Sequence, residues 1–265
     1  MRQHLQRQSF LGEGSDEVIH NACVAIVGLC GGGSHIAQQA AHIGVGKFKL
    51  FDHDRADGSN RNRMVGLTKD DADDRKLKTT VIAATIKKVN PEANVHEFPV
   101  RWQDRAEELR GCTAIFGCVD SFIERYQLEA YARRYRVPYI DVGMDVTGEA
   151  GKHFITGQVI MSLPGCSCMQ CMGFLNDDVL GREANNYGGA GGKPQVVWPN
   201  GILASAAVGN FMSILTPWNT HLRPPLYLEY DGNRMSLTPS SKLALLEGYE
   251  CPHFVGIDAL GDLKW

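Results

Sequence analysis

Short apolar runs alternate with helix-like stretches over the first half of the chain. The pattern predicts strands over residues 22–29, 47–51, 95–100, 113–118 and 137–142. Between them it predicts helices over residues 35–43, 75–89 and 122–134, the second of which is stopped by Asn90-Pro91. Strands that alternate with helices in this way are typical of a mostly parallel sheet with helices on both faces.

The pattern changes after about Gly143. Residues 153–163 predict an antiparallel strand, and residues 201–215 predict an apolar helix that Pro217 stops. Two short runs, 227–230 and 234–237, flank Asp231-Gly232, which is typical of a β-hairpin. The polar, glycine-rich residues 176–193 predict a long mobile loop. Because no repeat or linker interrupts the pattern, we expect a single domain over residues 1–265.

Composition narrows the function classes. The chain has 265 residues, 27 Lys and Arg against 30 Asp and Glu, and 43% hydrophobic residues, so it is well cored and nearly neutral with a net charge of −3. A net charge this close to zero does not indicate binding to nucleic acid or to an anionic membrane. No apolar run reaches the roughly 18–20 residues of a membrane span, and the N-terminus does not resemble a secretory signal. We therefore expect a cytoplasmic location.

The cysteines favour a metal site over disulfides. Three of the eight, Cys166, Cys168 and Cys171, lie within six residues, and Cys251 lies near the end of the chain. In a reducing compartment this spacing is more typical of metal ligands than of a disulfide framework.

A glycine-rich turn follows the first predicted strand and reads Gly28-Leu-Cys-Gly-Gly-Gly33. Glycines let the backbone approach phosphates, and the start of the following helix supplies N–H donors and a positive dipole end. Asp52 follows the second strand, where an acid takes the ribose hydroxyls of a nucleotide. The two features together favour a nucleotide over a purely structural turn, without deciding between NAD and ATP.

Cations beyond the acid favour a triphosphate. Ser59-Asn60-Arg61-Asn62-Arg63 adds two guanidinium groups, and Lys76 and Lys78 open the next predicted helix. Arg and Lys side chains match phosphate oxygens, whereas a hydride-transfer enzyme has little use for them here. The alternative is a solvated basic face. Of the two lysines, Lys78 has the better spacing from Asn90-Pro91, and Lys76 is the rival.

In this order the motifs resemble the ThiF/MoeB/HesA adenylyltransferases, the bacterial relatives of ubiquitin-activating enzymes. The resemblance runs from about residue 7 to 253 and rests on Arg7-Gln8, the glycine turn, Asp52-His-Asp54, Ser59-Asn60 with Arg63, Lys78, Asp120-Ser121 with Arg125, and Cys168-Met-Gln-Cys171. It implies a Rossmann-like α/β fold with antiparallel C-terminal strands and a zinc knuckle.

The resemblance also implies a reaction. The family binds ATP and Mg²⁺ and adenylates the C-terminal glycine carboxylate of a ubiquitin-like or sulfur-carrier protein, releasing pyrophosphate. It implies a homodimer, with residues 1–20 as an arm, 21–145 as the nucleotide half, and 146–265 as the zinc and carrier half, which contains a mobile loop at about 176–197. No catalytic thioester cysteine is expected, because residues 176–200 contain none.

The family pattern assigns roles residue by residue. Gly31 and Gly33 hold phosphate, Asp52 holds ribose, Asn60 joins Arg63 and Lys78 in clamping the triphosphate, Asp120 coordinates Mg²⁺, and Arg7 acts on the partner's ATP. The whole set is Gly28, Gly31, Gly33, Asp52, Asp54, Ser59, Asn60, Arg63, Lys78, Asp120 and Ser121 for the nucleotide, with Arg7, Arg63, Lys78 and Asp120 as catalytic residues.

The chain departs from the family pattern at two places. Cys30 replaces the second glycine of the turn, and a Cβ there costs energy if the position needs a positive φ. In the second cysteine pair, Cys251-Pro-His253-Phe254, Phe stands where the last zinc ligand is expected. His253 would complete a Cys₃His set with Cys168, Cys171 and Cys251, Cys166 is the rival fourth ligand, and a chain without metal is the third alternative.

Three other functions stay open. The same fold could adenylate a non-protein target such as a tRNA, the chain could be a Rossmann-type oxidoreductase, or a glycine turn spoiled by Cys30 could leave a binding module that is not an enzyme. Within the enzyme reading, an acyl ester on a hydroxyl residue such as Ser205 is a further alternative. Cys23, Cys112 and Cys118 lie in or beside predicted strands, so we expect them to be small buried hydrophobic residues.

Overall fold

A computed structural model describes residues 3–185 and 194–254, and its framework is one eight-stranded sheet with the order β3-β2-β1-β4-β5-β6-β7-β8. The strands are β1 (Cys23–Val27), β2 (Lys47–Phe51), β3 (Asn94–Phe98), β4 (Ala114–Gly117), β5 (Tyr139–Glu149), β6 (Lys152–Ser162), β7 (Tyr227–Asp231) and β8 (Ser236–Pro239). Strands β1 to β5 pair in parallel, and β6 to β8 are antiparallel to their neighbours.

Helices cover both faces of the sheet. They are α1 (Ser15–Asn21), α2 (Gly31–His42), α3 (Lys69–Asp73), α4 (Lys78–Val89), α5 (Phe122–Arg134), α6 (Asp177–Asn185) and α7 (Val197–Leu215). Short 3₁₀ helices lie at Gln3–Leu11, Gly58–Asn60, Trp102–Leu109, Pro217–Asn219 and Ser241–Leu246. Within the described residues, no helix is both long enough and apolar enough to cross a membrane.

Two apolar cores hold the layers together. On one face, α2, α4 and α7 pack on the sheet through residues such as Ile36, Ile82 and Phe211. On the other face, α5 and the 3₁₀ helix at Trp102–Leu109 pack through Leu128 and Trp102. The predicted fold class, a mostly parallel sheet with helices on both faces and antiparallel C-terminal strands, is confirmed.

The sheet order places the site. Strand β1 pairs with β2 on one side and with β4 on the other. The strands that follow β1 in the chain are therefore added on one side of it, and those from β4 onward are added on the other side. A crevice opens where the order of strands reverses in this way, beyond the carboxyl ends of parallel strands. The segments that follow β1, β2 and β4 therefore meet there.

Two helix starts differ from the sequence-based expectation. Helix α2 begins at Gly31, so three of the glycines form its first turn instead of a separate loop before His35. Helix α4 begins at Lys78, three residues later than expected. The reason is that α3 ends before Arg75, whose positive φ of 50° takes the backbone out of the helical path.

The expected loop at about 176–197 is wrong for residues 177–185, which form α6. The sequence contains a helix-start signal here, an Asn followed by an acidic residue. In the structure Asn176 Oδ1 accepts a hydrogen bond from Val179 N at 2.9 Å, and Asp177 lies in the first turn of the helix. Helix α7 begins at Val197, four residues earlier than expected. The remaining part of the expected loop, residues 186–193, lies outside the described residues.

Candidate functional site

A cavity of about 480 Å³ lies in the crevice beyond β1, β2 and β4. Its lining includes every residue of the expected nucleotide set except one, namely Gly28, Gly31, Asp52, Asp54, Ser59, Asn60, Arg63, Lys78, Asp120 and Ser121. The exception is Gly33. The fold therefore gathers residues that lie up to 93 positions apart in the sequence (28 to 121) around one space.

The glycine turn is shaped by close backbone approaches. Gly28 has a positive φ of 87°, and a Cβ on it would clash with the Cys118 carbonyl. A Cβ on Gly33 would clash with the Gly28 carbonyl, so Gly33 lies behind the turn and packs it instead of lining the cavity. A Cβ on Gly31 would lie 2.6 Å from Asn200 Oδ1. The expected phosphate contact of Gly33 therefore finds no support in the cavity lining.

Cys30 does not strain the turn. Its φ is −83°, so the residue does not occupy the left-handed region that would require glycine. Helix α2 starts at the next residue, and its first N–H groups have no partner within the helix. The turn therefore retains the features of an anion site at a helix N-terminus, lined by Cys30 and Gly31.

Asp52 is held in a fixed position at the end of β2. Its Oδ2 accepts a hydrogen bond from Leu29 N at 2.9 Å, and its Oδ1 accepts one from Asp54 N at 2.9 Å. Burial raises the pKa of Asp52, although Lys78 and these two N–H groups oppose the rise. The carboxylate thus ties the glycine turn to the segment after β2 and lines the cavity between them.

Lys78 is the lysine of the cavity. Its Nζ lies 2.7 Å from Asp54 Oδ2 and 3.9 Å from Asp52 Oδ1, and only 9% of its side chain is exposed. Burial would lower the pKa of Lys78, but the two carboxylates outweigh it and raise that pKa, so the ammonium stays charged. Lys76 instead pairs with Asp71 at 2.6 Å and does not line the cavity.

The segment after β2 presents an arginine. Asp57 and Asn60 close a capping box, with Asp57 N donating to Asn60 Oδ1 at 3.1 Å. Arg63 Nη1 donates to the Ser59 carbonyl at 2.8 Å. Arg63 Nε is buried and has no hydrogen-bond partner among the described residues. Arg63 also lines the cavity, and a guanidinium there fits an anionic ligand such as a phosphate.

Asp120 and Ser121 follow β4 on the opposite wall. The Asp120 carboxylate is exposed to the cavity, and its Oδ1 accepts a hydrogen bond from Gln195 Nε2 at 3.2 Å. The Gln195 carbonyl accepts a hydrogen bond from Asn62 Nδ2 at 2.9 Å, so Gln195 bridges the two walls. Ser121 caps α5 through the Glu124 N–H. An accessible carboxylate at the wall of such a cavity is of the kind that Mg²⁺ binds together with phosphates.

Sequence reasoning missed several residues of the cavity. Arg125 was noted only as part of a motif, yet it lines the cavity and forms a buried ion pair with Asp141. Gln195 and Asn200 also line it, from the segment before α7 and its first turn. Their spacing from the glycine turn carries no recognisable signal. Cys118 lines the wall too, and burial raises the pKa of its thiol, as expected for a packing residue.

Arg7 lies away from this cavity. It is exposed on the 3₁₀ helix Gln3–Leu11 and is not part of the cavity lining. Its neighbour Gln8 donates to the Ile43 carbonyl at 3.0 Å, which fixes this helix against the end of α2. Within the described chain, Arg7 therefore lies outside the cavity that the other expected residues line.

The second candidate site is a metal cluster. The structure brings together Cys168, Cys171, Cys251 and His253, whose ligand atoms all lie within 4.8 Å of one another. His253 Nδ1 lies 3.4 Å from Cys168 Sγ and 3.3 Å from Cys171 Sγ. Tetrahedral zinc with bonds of about 2.3 Å to sulfur needs ligand atoms roughly 3.8 Å apart, so the donor set and its spacing fit zinc.

Cys166 is not in this group of ligand atoms. Its carbonyl accepts a hydrogen bond from Arg133 Nη2 at 2.9 Å, and the same guanidinium donates through Nε to Ser162. Glu129 accepts hydrogen bonds from Ser162 Oγ and Met169 N. This buried network ties the cysteine segment to α5 and β6. Of the two rivals for fourth ligand, the geometry supports His253.

The ThiF family model matches residues 2–250. The chain belongs to the ThiF family. Members of this family are adenylyltransferases and activating enzymes of the E1 type, which use ATP and Mg²⁺. The resemblance drawn from the sequence motifs is thereby confirmed.

Curated relatives match over part of their length. Ubiquitin-like modifier-activating enzyme 5 of Dictyostelium discoideum is 28% identical over 171 residues, which are 59% of this chain and 42% of that protein. The tRNA threonylcarbamoyladenosine dehydratase of Escherichia coli K12 is 29% identical over 136 residues, half of each chain. The chain thus spans about half or less of the length of these relatives.

Solved structures share the fold. Escherichia coli MccB with SeMet MccA has a TM-score of 0.73 and 20% identity, over 90% of this chain and 71% of that one. MccB with ATP has a TM-score of 0.69 and 20% identity, over 85% and 65% of the two chains. These solved structures therefore share the fold over most of the chain.

Proposed function

We propose that this ThiF-family chain is an ATP-dependent adenylyltransferase that activates the C-terminal glycine carboxylate of a ubiquitin-like or sulfur-carrier protein. The observation that carries the proposal is the convergence of a helix N-terminus with Asp52, Arg63, Lys78 and Asp120 around one cavity. Asn60, which closes the turn before Arg63, belongs to the same wall. An oxidoreductase has no comparable need for these cations.

Each side chain has a task in this proposal. The N–H groups at the start of α2 and the Arg63 guanidinium bind phosphate oxygens, and the Asp52 carboxylate accepts from ribose hydroxyls. Lys78, pinned by Asp54, places a fixed positive charge beside the triphosphate. Asp120 would hold Mg²⁺, which supplies charge neutralisation of the phosphates when bound. Positioning and electrostatic stabilisation dominate this kind of chemistry.

The reaction is a substitution at phosphorus. A carboxylate oxygen of the carrier forms a bond to the α-phosphorus of ATP, and the bond from that phosphorus to the bridging oxygen of the β-phosphate breaks. The products are an acyl-adenylate and pyrophosphate, and no proton is transferred. Charge accumulates on the leaving pyrophosphate, which the cations of the cavity stabilise. The described part of the segment before α7 contains no cysteine that could act as a nucleophile.

A protein or peptide as the acyl substrate agrees with the relatives. One is named as an activating enzyme for ubiquitin-like modifiers, and MccB is seen with MccA in solved structures. The half of the chain from residue 146 to 265, with the zinc cluster and α7, is proposed to face the carrier. We also propose a cytoplasmic location, because a cysteine cluster with this spacing is typical of a metal site in a reducing compartment.

ATP–pyrophosphate exchange with the purified chain tests the function. We expect exchange to appear when a ubiquitin-like protein ending in glycine is added and not when the same protein lacks its last two residues. ATP binding measured by calorimetry without carrier is the companion measurement. Binding without exchange for any carrier would move the substrate to another acyl group, such as that of a tRNA, and absence of both would support a binding module without activity.

We also propose that two chains form a homodimer in which Arg7 serves the partner's cavity. Arg7 is exposed and outside its own cavity, as a residue that acts on a second copy would be. An apolar surface lies beside it. Phe10 packs edge-to-face on Trp218 with ring centroids 6.3 Å apart, and these residues and Leu222 remain 67%, 43% and 72% exposed. Exposed apolar side chains grouped in this way are typical of an interface.

Mixing two inactive variants should restore activity if Arg7 acts on the partner. Arg7→Ala and Asp120→Ala chains, unfolded and refolded together in equal amounts, form heterodimers with one intact site of two. Because half of the dimers are then mixed, exchange should recover to about a quarter of the wild-type rate. No recovery, with dimers present by light scattering, would place Arg7 in its own chain's site or outside catalysis.

A further inference from the structure

Two thiols face each other at the amino ends of the parallel strands, the end of the sheet opposite the cavity. Cys23 is the first residue of β1, and Cys112 lies two positions before β4. Their Sγ atoms are 3.9 Å apart. Cys23 is half-buried, and Cys112 is buried at 6% exposure. Neither residue lines the cavity, and neither belongs to the metal cluster.

The backbone already holds the two residues together. Thr113 N donates to the Cys23 carbonyl at 2.7 Å, and Cys23 N donates to Thr113 Oγ1 at 3.0 Å. A disulfide needs a sulfur–sulfur distance of about 2.05 Å. Because these hydrogen bonds hold the two backbone segments beside each other, rotation of the two side chains is the motion expected to close the remaining distance.

The charges around the pair favour a thiolate at Cys23. The hydrogen bond with Cys112 lowers the pKa of Cys23 to about 7, with further lowering by Lys49 and Lys47, against burial and Glu108, which raise it. The same contact and burial raise the pKa of Cys112. Lys49 Nζ is itself held by Glu108 at 3.0 Å, so its charge stays beside the thiols. A partly exposed thiol among cations has the features of a reactive cysteine.

We propose that Cys23 and Cys112 are a modification site at which a hydroperoxide forms a reversible intramolecular disulfide. The Cys23 thiolate attacks the peroxide oxygen, the O–O bond breaks, and Cys23 becomes a sulfenic acid. The Cys112 sulfur then attacks the Cys23 sulfur, the S–O bond breaks, and hydroxide leaves as water. In total the two thiols lose two electrons and two protons, and hydrogen peroxide is reduced to two water molecules.

The bond would lock the sheet without changing the cavity. It closes the long loop between residues 23 and 112, and cross-links over long loops stabilise most through the unfolded chain. The oxidised chain should therefore unfold at a temperature higher by roughly 5–15 °C. Its ATP affinity should be unchanged, because the cross-link lies at the amino ends of the strands and the cavity at their carboxyl ends.

Peptide mass spectrometry tests the site directly. The zinc-loaded chain is treated with one equivalent of hydrogen peroxide, blocked with N-ethylmaleimide and digested. We expect a peptide pair linked through Cys23 and Cys112, lighter by two hydrogens than its separate parts, that dithiothreitol releases, while the zinc content stays constant. Oxidation confined to the cysteines of the metal cluster, with no linked pair, would overturn the proposal.

A matched pair of variants separates chemistry from packing. In Cys112→Ala, which removes both the second sulfur and its hydrogen bond, dimedone should trap a sulfenic acid at Cys23, and the pH midpoint of Cys23 alkylation should rise from about 7 towards the ordinary thiol value of about 8.5. The control Cys118→Ala should form the linked pair as the wild type does. An alkylation midpoint that does not change in Cys112→Ala would contradict the inferred contact.

Discussion

Replacing Asp120 by alanine is expected to reduce ATP–pyrophosphate exchange by roughly 10³-fold, close to loss of the signal, while the chain remains folded. Removing one group that stabilises the charges of a transition state costs about 10²–10³ in rate. As the proposed metal ligand, Asp120 should also set the affinity for the metal. Mn²⁺ binding in the presence of ATP, followed by electron paramagnetic resonance, should weaken in parallel with exchange.

The surroundings of Asp120 make this variant a clean test. The carboxylate is exposed and accepts its hydrogen bond from Gln195, so alanine leaves no buried group behind. Gln195→Ala removes that hydrogen bond and keeps the carboxylate, and it should cost far less. Asp74→Ala removes an exposed acid that does not line the cavity and should leave exchange unchanged. Normal exchange by the folded Asp120→Ala chain would contradict the assigned role.

Arg63→Ala belongs to the same experiment and should also abolish exchange. Here the loss should include ATP affinity, because the Arg63 guanidinium is proposed to bind phosphate in the ground state as well. A comparison of Kd for ATP between the two variants therefore distinguishes a binding arginine from a metal ligand.

The positions of most site residues could be predicted because they follow strands. Gly28 and Asp52 come directly after β1 and β2, Asp120 lies three residues after the end of β4, and the carboxyl ends of parallel strands share one edge. Local sequence thus indicates the site once the order of strands is known. Gln195 could not be found in this way, since only the tertiary path of the chain brings it to Asp120.

Side-chain pairing, in contrast, needed the structure. Spacing from Asn90-Pro91 favoured Lys78 over Lys76, and the structure adds the physical difference, which is that Lys76 follows Arg75 with its positive φ and pairs with Asp71. The sequence also could not show why Gly33 is a glycine. A Cβ at this position would clash with the Gly28 carbonyl, and it would not face a ligand. A glycine motif shows where small residues are required, but it does not say which atom makes each one necessary.

Cys168→Ser is expected to release zinc and to destabilise the chain. Cys168 is fully buried, and it joins the segment after β6 to the C-terminal Cys251 and His253. Structural zinc contributes roughly 10–16 kcal/mol in small peptides. Because the two apolar cores of the sheet remain in the variant, we expect its free energy of unfolding to fall by only a part of that amount. Each kcal/mol lowers Tm by about 2–4 °C in a chain of this size.

The adjacent cysteine provides the control for this prediction. Cys166→Ser keeps the backbone carbonyl that Arg133 contacts and removes a thiol outside the cluster, so zinc content by elemental analysis should remain at one per chain. Cys168→Ser should lose it, and His253→Ala should do so as well. Limited proteolysis of these two variants should then cut near Phe254, because the contact of its ring with the Arg133 guanidinium is too weak to hold the segment in place without zinc. Unchanged zinc in Cys168→Ser, or zinc lost in Cys166→Ser, would move the site to another ligand set.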